Sequence, residues 1–183
     1  NRINIEVKSS FIKKPGTLIT KRTNLNNNRI ITGISSTHND AKVTLVGVKD
    51  RPGVAASIFK PLSINSINVD MVVQNISPNG KETDLTFTIK AEDLNKTKKI
   101  IQENKSIKFK KVLFQKGVSK ISIIGVGMIT TPGVTFRMFQ ALANKKINIQ
   151  VISTSEIKIS VLINKKDAKK ALVTLHKEFK LQE

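Results

Sequence analysis

The sequence predicts an α+β fold of two small domains built on one plan, with one domain inserted in the other. Three observations carry this. A pattern occurs twice, KVTLVGVKDRPGVAASIFKPLSINSINVDMVVQNIS at 42–77 and KISIIGVGMITTPGVTFRMFQALANKKINIQVISTS at 120–155. Each copy passes from a two-residue period to a helical one and back. The second copy ends one strand short, while a spare strand stands before the first. The period exceeds the roughly 20–50 residues of a solenoid unit, so a small domain has been duplicated.

The elements follow in order. Residues 3–9 alternate apolar and polar (Ile3, Ile5, Val7), as a half-buried strand does. A turn at Lys14-Pro15-Gly16 leads to Leu18-Ile19, and the Asn-rich stretch 23–28 is a loop or linker. Residues 30–35 form the spare strand. In the first copy, 43–48 is a strand and Pro52-Gly53 opens a helix, proline being tolerated in a first turn. Ala55, Ile58, Phe59 and Leu62 form its apolar stripe. Strands at 67–76 and 84–89 flank Ser77-Pro78-Asn79-Gly80, a hairpin signal. A second helix covers 91–104 with Leu94, Thr97 and Ile101 on one side, and 107–114 is the fourth strand. The order βαββαβ is the ferredoxin-like plan.

The second copy repeats it: a strand at 121–126, a helix capped by Thr131 ahead of Pro132, strands at 147–153 and 157–163, and a last helix capped by Asn164. That helix carries Ala168, Ala171, Leu172, Leu175 and Phe179 on one face. No fourth strand follows, which would leave a sheet edge bare. The spare strand fills the place. The expected division is 1–28 as an incoming tail and linker, 41–116 as the first domain, and 29–40 with 117–183 as the second.

Composition removes several function classes. There is no cysteine, so disulfides, zinc–thiolate sites and cysteine nucleophiles are excluded. His38 and His176 stand far apart without ligand spacing and read as solvated surface residues. No apolar run approaches the roughly 20 residues of a membrane span, and no leader is visible, so the expected location is the cytoplasm. The chain begins at Asn1 inside an alternating pattern, as a fragment lacking its N-terminal part would. A net charge of +19 over 183 residues invites nucleic acid. Against that, the lysines are scattered, Trp and Tyr are absent, and aromatic content is 4%, so stacking platforms are scarce. Joint richness in Lys, Asn and Ile fits AT-rich codons.

No catalytic constellation emerges. Gly125-Val126-Gly127 lacks the rest of a dinucleotide fingerprint and reads as a strand end. Ser153-Thr154-Ser155 has no histidine beside it, and the acids are scattered. The better candidate is the turn before each copy's first helix, where free amides and the dipole suit a carboxylate. Asp50 either helps to cap its helix or faces a ligand ammonium. Asn68, Asp70 and Gln74 share one parity, hence one face. They are either solvated at a sheet end or line a polar pocket.

GVKDRPGVAASIF, INVDMVVQNIS, TDLTFT and INIQVISTSEIKISVLI together resemble the tandem ACT domains at the C-terminus of aspartokinases, from about Ile30 to the end. IEVKSSF and PGTLI resemble the last strand and tail of the family's kinase domain. The resemblance implies a parent enzyme that transfers the γ-phosphate of ATP to the β-carboxylate of aspartate. It implies ATP and magnesium in that kinase and no cofactor in this fragment, whose catalytic elements are absent. It implies feedback inhibition by lysine, threonine or both, a homodimer formed through ACT domains, and contact with the parent's kinase domain. Carried onto matching positions, effector contacts fall on Asp50, Arg51, Pro52, Gly53, Val54 and Ala55, and on Asn68, Val69, Asp70 and Gln74. In the second copy they fall on Val134, Thr135, Asn148, Ile149, Ser155 and Glu156. Ser77, Thr86 and Ala55 lie where the family's feedback control is sensitive to substitution. The competing reading is a basic ferredoxin-like nucleic-acid-binding module, recognisable by steeply salt-dependent retention on DNA.

Overall fold

The computed structural model describes residues 5–12, 15–19, 29–77, 80–104 and 106–181, with 17–19 as backbone alone. The expected linker at 23–28, Lys14 of the first turn, and Pro78 and Asn79 of the hairpin turn lie outside these residues. The chain runs β1 (Ile5–Val7), β2 (Thr17–Ile19), β3 (Gly33–Ser36), β4 (Asp40–Lys49), α1 (Val54–Ile64), β5 (Val69–Ile76), β6 (Glu82–Lys90) and α2 (Leu94–Glu103). Then follow β7 (Lys111–Ile124), α3 (Val134–Asn144), β8 (Val151–Thr154), β9 (Lys158–Asn164) and α4 (Ala168–Glu178). None of these helices is long and apolar enough to cross a membrane.

Both ferredoxin-like domains are present, and the spare strand completes the second. The first domain's sheet is ordered β5-β6-β4-β7, antiparallel throughout. The second is ordered β8-β9-β7-β3, with Gly33 opposite Ile124 and Ser36 opposite Ile121. The expected strands 107–114 and 121–126 prove to be parts of one. β7 pairs with β4 through its first half and with β9 and β3 through its second. Gln115, Lys116, Gly117 and Ser119 interrupt the apolar pattern between the two expected strands. Gly117 does take a left-handed φ of 72°, but ladder bonds on both sides carry the strand through, and Val118 faces both Asp40 and Asn164. Hence 107–109 precede the strand, although Ile107 is buried.

Each sheet covers one face with its helices. Val43, Leu45, Ile58, Leu62, Phe87, Leu94 and Ile101 form the first core. Ile31, Ile121, Ile123, Met138, Leu142, Val161, Ala171 and Leu175 form the second. The opposite faces meet at β7, where Met71, Val118 and Leu162 are buried together with Val151 against them. Polar contacts rim this junction. Lys42 Nζ donates to Gln150 Oε1 at 2.7 Å, and Asp70 pairs with Lys120. Burial lowers the Lys42 pKa.

Several local expectations are corrected. No side chain caps α1 or α3. Gly53 (φ 84°) and Gly133 (φ 87°) are the N-cap residues, in a left-handed conformation that costs a side-chain-bearing residue about 1–2 kcal/mol. Neither Asp50 nor Thr131 therefore caps its helix. Asn164 caps nothing either, because a 3₁₀ turn at Lys165–Asp167 precedes α4. β1 is exposed rather than half-buried and pairs with β2 alone.

Gly47 and Gly125, equivalent in the repeat, do different work. Gly47 (φ 65°) sits in a bulge of β4, its amide donating to Asp84 Oδ1 at 2.8 Å. A Cβ on Gly125 would lie 2.1 Å from the Ile30 carbonyl oxygen, and one on Gly127 2.6 Å from Ile30 Cα. These glycines let the segment entering β3 lie against the end of β7.

Candidate functional site

The left-handed glycines leave the first turns of α1 and α3 without a side-chain acceptor, so amides there stay available to a ligand carboxylate, apart from that of Val54, which donates to the Arg51 carbonyl at 3.1 Å. At α3 a cavity of about 470 Å³ opens there. Its walls are the loop at 128–135 and the β8–β9 turn at 154–156, with Ile159 behind. Val134, Thr135, Ser155 and Glu156, all read from sequence, meet in it. Beyond the turn at Thr131-Pro132-Gly133, four lining residues lie outside the expected contacts: Met128, Ile129, Thr154 and Ile159. The signal was available, since the second copy has a longer stretch between Gly125 and Pro132 than the first has between Gly47 and Pro52. Ser155 anchors the turn, its amide donating to the Lys158 carbonyl at 2.8 Å. Thr131, Thr135, Thr154 and Ser155 bring hydroxyls and Glu156 a carboxylate. Amides at one side and an acid at the other suit a zwitterion.

The matching turn of the first domain holds Asp50, Arg51, Pro52, Gly53, Val54 and Ala55. The Asp50 amide donates to the Lys81 carbonyl at 3.0 Å, tying the turn to the start of β6. Arg51, Pro52 and Gly53 are exposed, whereas Val54 is buried in the core. Asn68 and Val69 stand at the other end of α1, an eleven-residue helix, hence about 16 Å away. There they line a shallow cavity of about 330 Å³ with Phe59 and Val72.

The shared face expected for Asn68, Asp70 and Gln74 is not observed. β5 changes register between Val69 and Val72, and such a bulge inverts the alternation. Asp70 consequently reaches Lys120 on the helix-free face, while Gln74 lies opposite Leu85 on the helix-bearing face. Asn148 is exposed beyond the end of α3. Ile149 lines a cavity of about 250 Å³ between the two sheets with Val73, Asn75, Thr86 and Gln150. Thr86 also shares a 3.0 Å hydroxyl contact with Thr44. A single chain therefore distributes the expected contacts over several places. Among the described residues no three His, Asp or Glu side chains converge as a metal-holding group.

Comparison with known proteins agrees with this architecture. The profile of the ACT domain matches residues 43–104 and 121–179, one match per domain. An aspartate kinase of Pseudomonas fluorescens is 44% identical over 179 residues, which are 97% of this chain and 43% of that protein. The chain thus spans less than half the length of the curated relatives it matches. The crystallised regulatory subunit of aspartate kinase from Thermus thermophilus, ligand-free, superposes with a TM-score of 0.74 at 34% identity. That match covers 82% of this chain and 99% of the subunit. Aspartate kinase from Synechocystis gives 0.78 at 32% identity over 97% of this chain and 33% of that one. An ACT profile repeated in both domains, and a regulatory subunit matched almost end to end, lead to one assignment: the chain belongs to the ACT-domain family and, within it, to the regulatory regions of aspartokinases.

Proposed function

We propose that this chain is the amino-acid sensor of an aspartokinase and that it binds lysine, threonine or both as feedback inhibitors. The parent enzyme would phosphorylate the β-carboxylate of aspartate from ATP, using catalytic elements outside these residues, with magnesium. One observation carries the reading: the cavity at the start of α3, with uncapped helix amides on one side and Glu156 on the other. The ligand carboxylate meets the amides, its ammonium meets Glu156, and the hydroxyls of Thr131 and Thr154 read the side chain. The first domain offers a second uncapped turn, where Asp50 takes the part of Glu156. Because Asn68, Val69, Asn148 and Ile149 lie away from both turns, pairing with a second copy is what would bring them to a ligand. Binding then favours one arrangement of the dimer, and a coupling of about 1–3 kcal/mol suffices to inhibit the attached kinase.

Titration calorimetry with threonine and lysine, separately and together, tests this. Saturable binding of at least one is expected, weakened about tenfold or more by Glu156→Gln or Asp50→Ala while the thermal transition stays in place. Unchanged affinity in both variants would remove these acids from the site, and no heat with either amino acid would refute the sensor.

A further inference from the structure

Part of the positive charge of the chain gathers along α4. α3 and α4 run antiparallel, as shown by Lys170 Nζ donating to the Lys145 carbonyl at one end (2.8 Å) and Arg137 Nε to Glu178 Oε1 at the other (3.0 Å). Between them lies a groove of about 990 Å³. It shares no lining residue with the cavity at the start of α3. Lys166, Lys169, Lys170, Lys177 and Lys180 follow one another along α4 and its flanks at helical spacing, with Lys145 facing them from the end of α3. Glu178 is the acid among the lining residues, and Arg137 already occupies it. In the middle of the stripe sits Val173, 46% exposed. A row of cations with no free counter-charge and an apolar centre is a surface that lacks its complement.

We propose that this groove docks an acidic polypeptide segment carrying an apolar residue at its centre. Electrostatic complementarity supplies the approach and the apolar contact supplies the register. From Lys166 to Lys177 the stripe is about 16 Å long at the helical rise, the reach of some five extended residues. Nucleic acid fits less well. None of the lining residues is aromatic, the nearby Phe179 ring is covered by Arg137 at 5.0 Å, and single strands depend on stacking for about 1–3 kcal/mol per base. Val173 would be wasted on a phosphate backbone.

The test uses the whole chain and a short fluorescent peptide of glutamates around one leucine, with anisotropy as the readout. Lys169→Glu with Lys177→Glu is expected to weaken binding at least about tenfold. Lys60→Glu with Lys99→Glu, the same charge change on the first domain's exposed helix surface, is expected to leave it within about twofold. Val173→Asn should weaken the peptide and not inorganic polyphosphate. Equal losses from the two double variants would overturn the proposal, since attraction would then follow net charge alone. Tighter groove-dependent binding of an oligothymidylate than of the peptide would overturn it in favour of nucleic acid, and absence of peptide binding at low salt would overturn it outright.

Discussion

Gly125→Ala sets a methyl group against main chain rather than against a movable side chain. The new Cβ would stand 2.1 Å from the Ile30 carbonyl oxygen, 2.7 Å from Ile31 Cα and 3.0 Å from the Ile30 carbonyl carbon. Gly125 itself is extended, so crowding and not backbone conformation is what alanine changes. The segment entering β3 must withdraw. With it goes part of the burial of Ile31, which is 2% exposed and packs in the second core, and an isoleucine is worth about 1.5–3 kcal/mol there. The 2.7 Å bond from the Thr32 amide to the Ile124 carbonyl weakens too, for about 0.5–1.5 kcal/mol more. The expected loss is about 2–4 kcal/mol. Urea unfolding measures it, and hydrogen exchange should place the loosened amides in β3 and the second half of β7 rather than in β5 and β6. A variant within about 0.5 kcal/mol of the parent chain would refute the argument that β3 is held by close approach to this glycine.

Two further predictions concern the cores and their junction. Leu62→Ala and Leu142→Ala each empty a fully buried site in a different core and should each cost about 2–5 kcal/mol in urea unfolding. Exchange protection should be lost first in the domain that carries the substitution. Lys42 gives a pH dependence. Its folded pKa is lowered by burial, so between that value and its ordinary one the unfolded chain binds more protons. Stability from this group rises with pH across the window and is constant below it, where both states are charged. The stability of the parent chain relative to Lys42→Met should therefore increase from pH 7 to pH 10. A flat or falling difference in urea midpoints would show that Lys42 is not desolvated at the junction.

The parts legible in the sequence were those with a strong period or a duplicated pattern. Leu94, Thr97 and Ile101 share one stripe at helical spacing and are the buried residues of α2. The missing fourth strand of the second copy was inferred from a bare edge, and β3 stands there. What failed was decided by long-range pairing. Gln115, Lys116, Gly117 and Ser119 interrupt the apolar pattern, and bonds to strands distant in sequence keep β7 continuous. The bulge of β5 depends on its register against β6, which nothing in NVDMVVQ reveals, so Asp70 and Gln74 were assigned to one face. At the helix starts the left-handed glycines outweighed the cap that Thr131 advertises. Part of the α3 cavity is visible because the repeat aligns its walls, while Met128 and Ile129 come from the stretch where the copies differ in length.

The way β3 completes the second domain also sets an order of events during synthesis. β3 leaves the ribosome before any of the first domain, yet its partners, 121–124, follow the whole of that domain. The first domain can close its sheet as soon as the leading half of β7 has emerged. Until then and beyond, β3 must wait, an unpaired strand whose ladder groups are open to a wrong partner. Its brevity, at four residues from Gly33 to Ser36, limits that exposure. The chain is thus threaded so that β3 is made before the first domain and fastened only after it, and the second domain cannot finish before the first has been made.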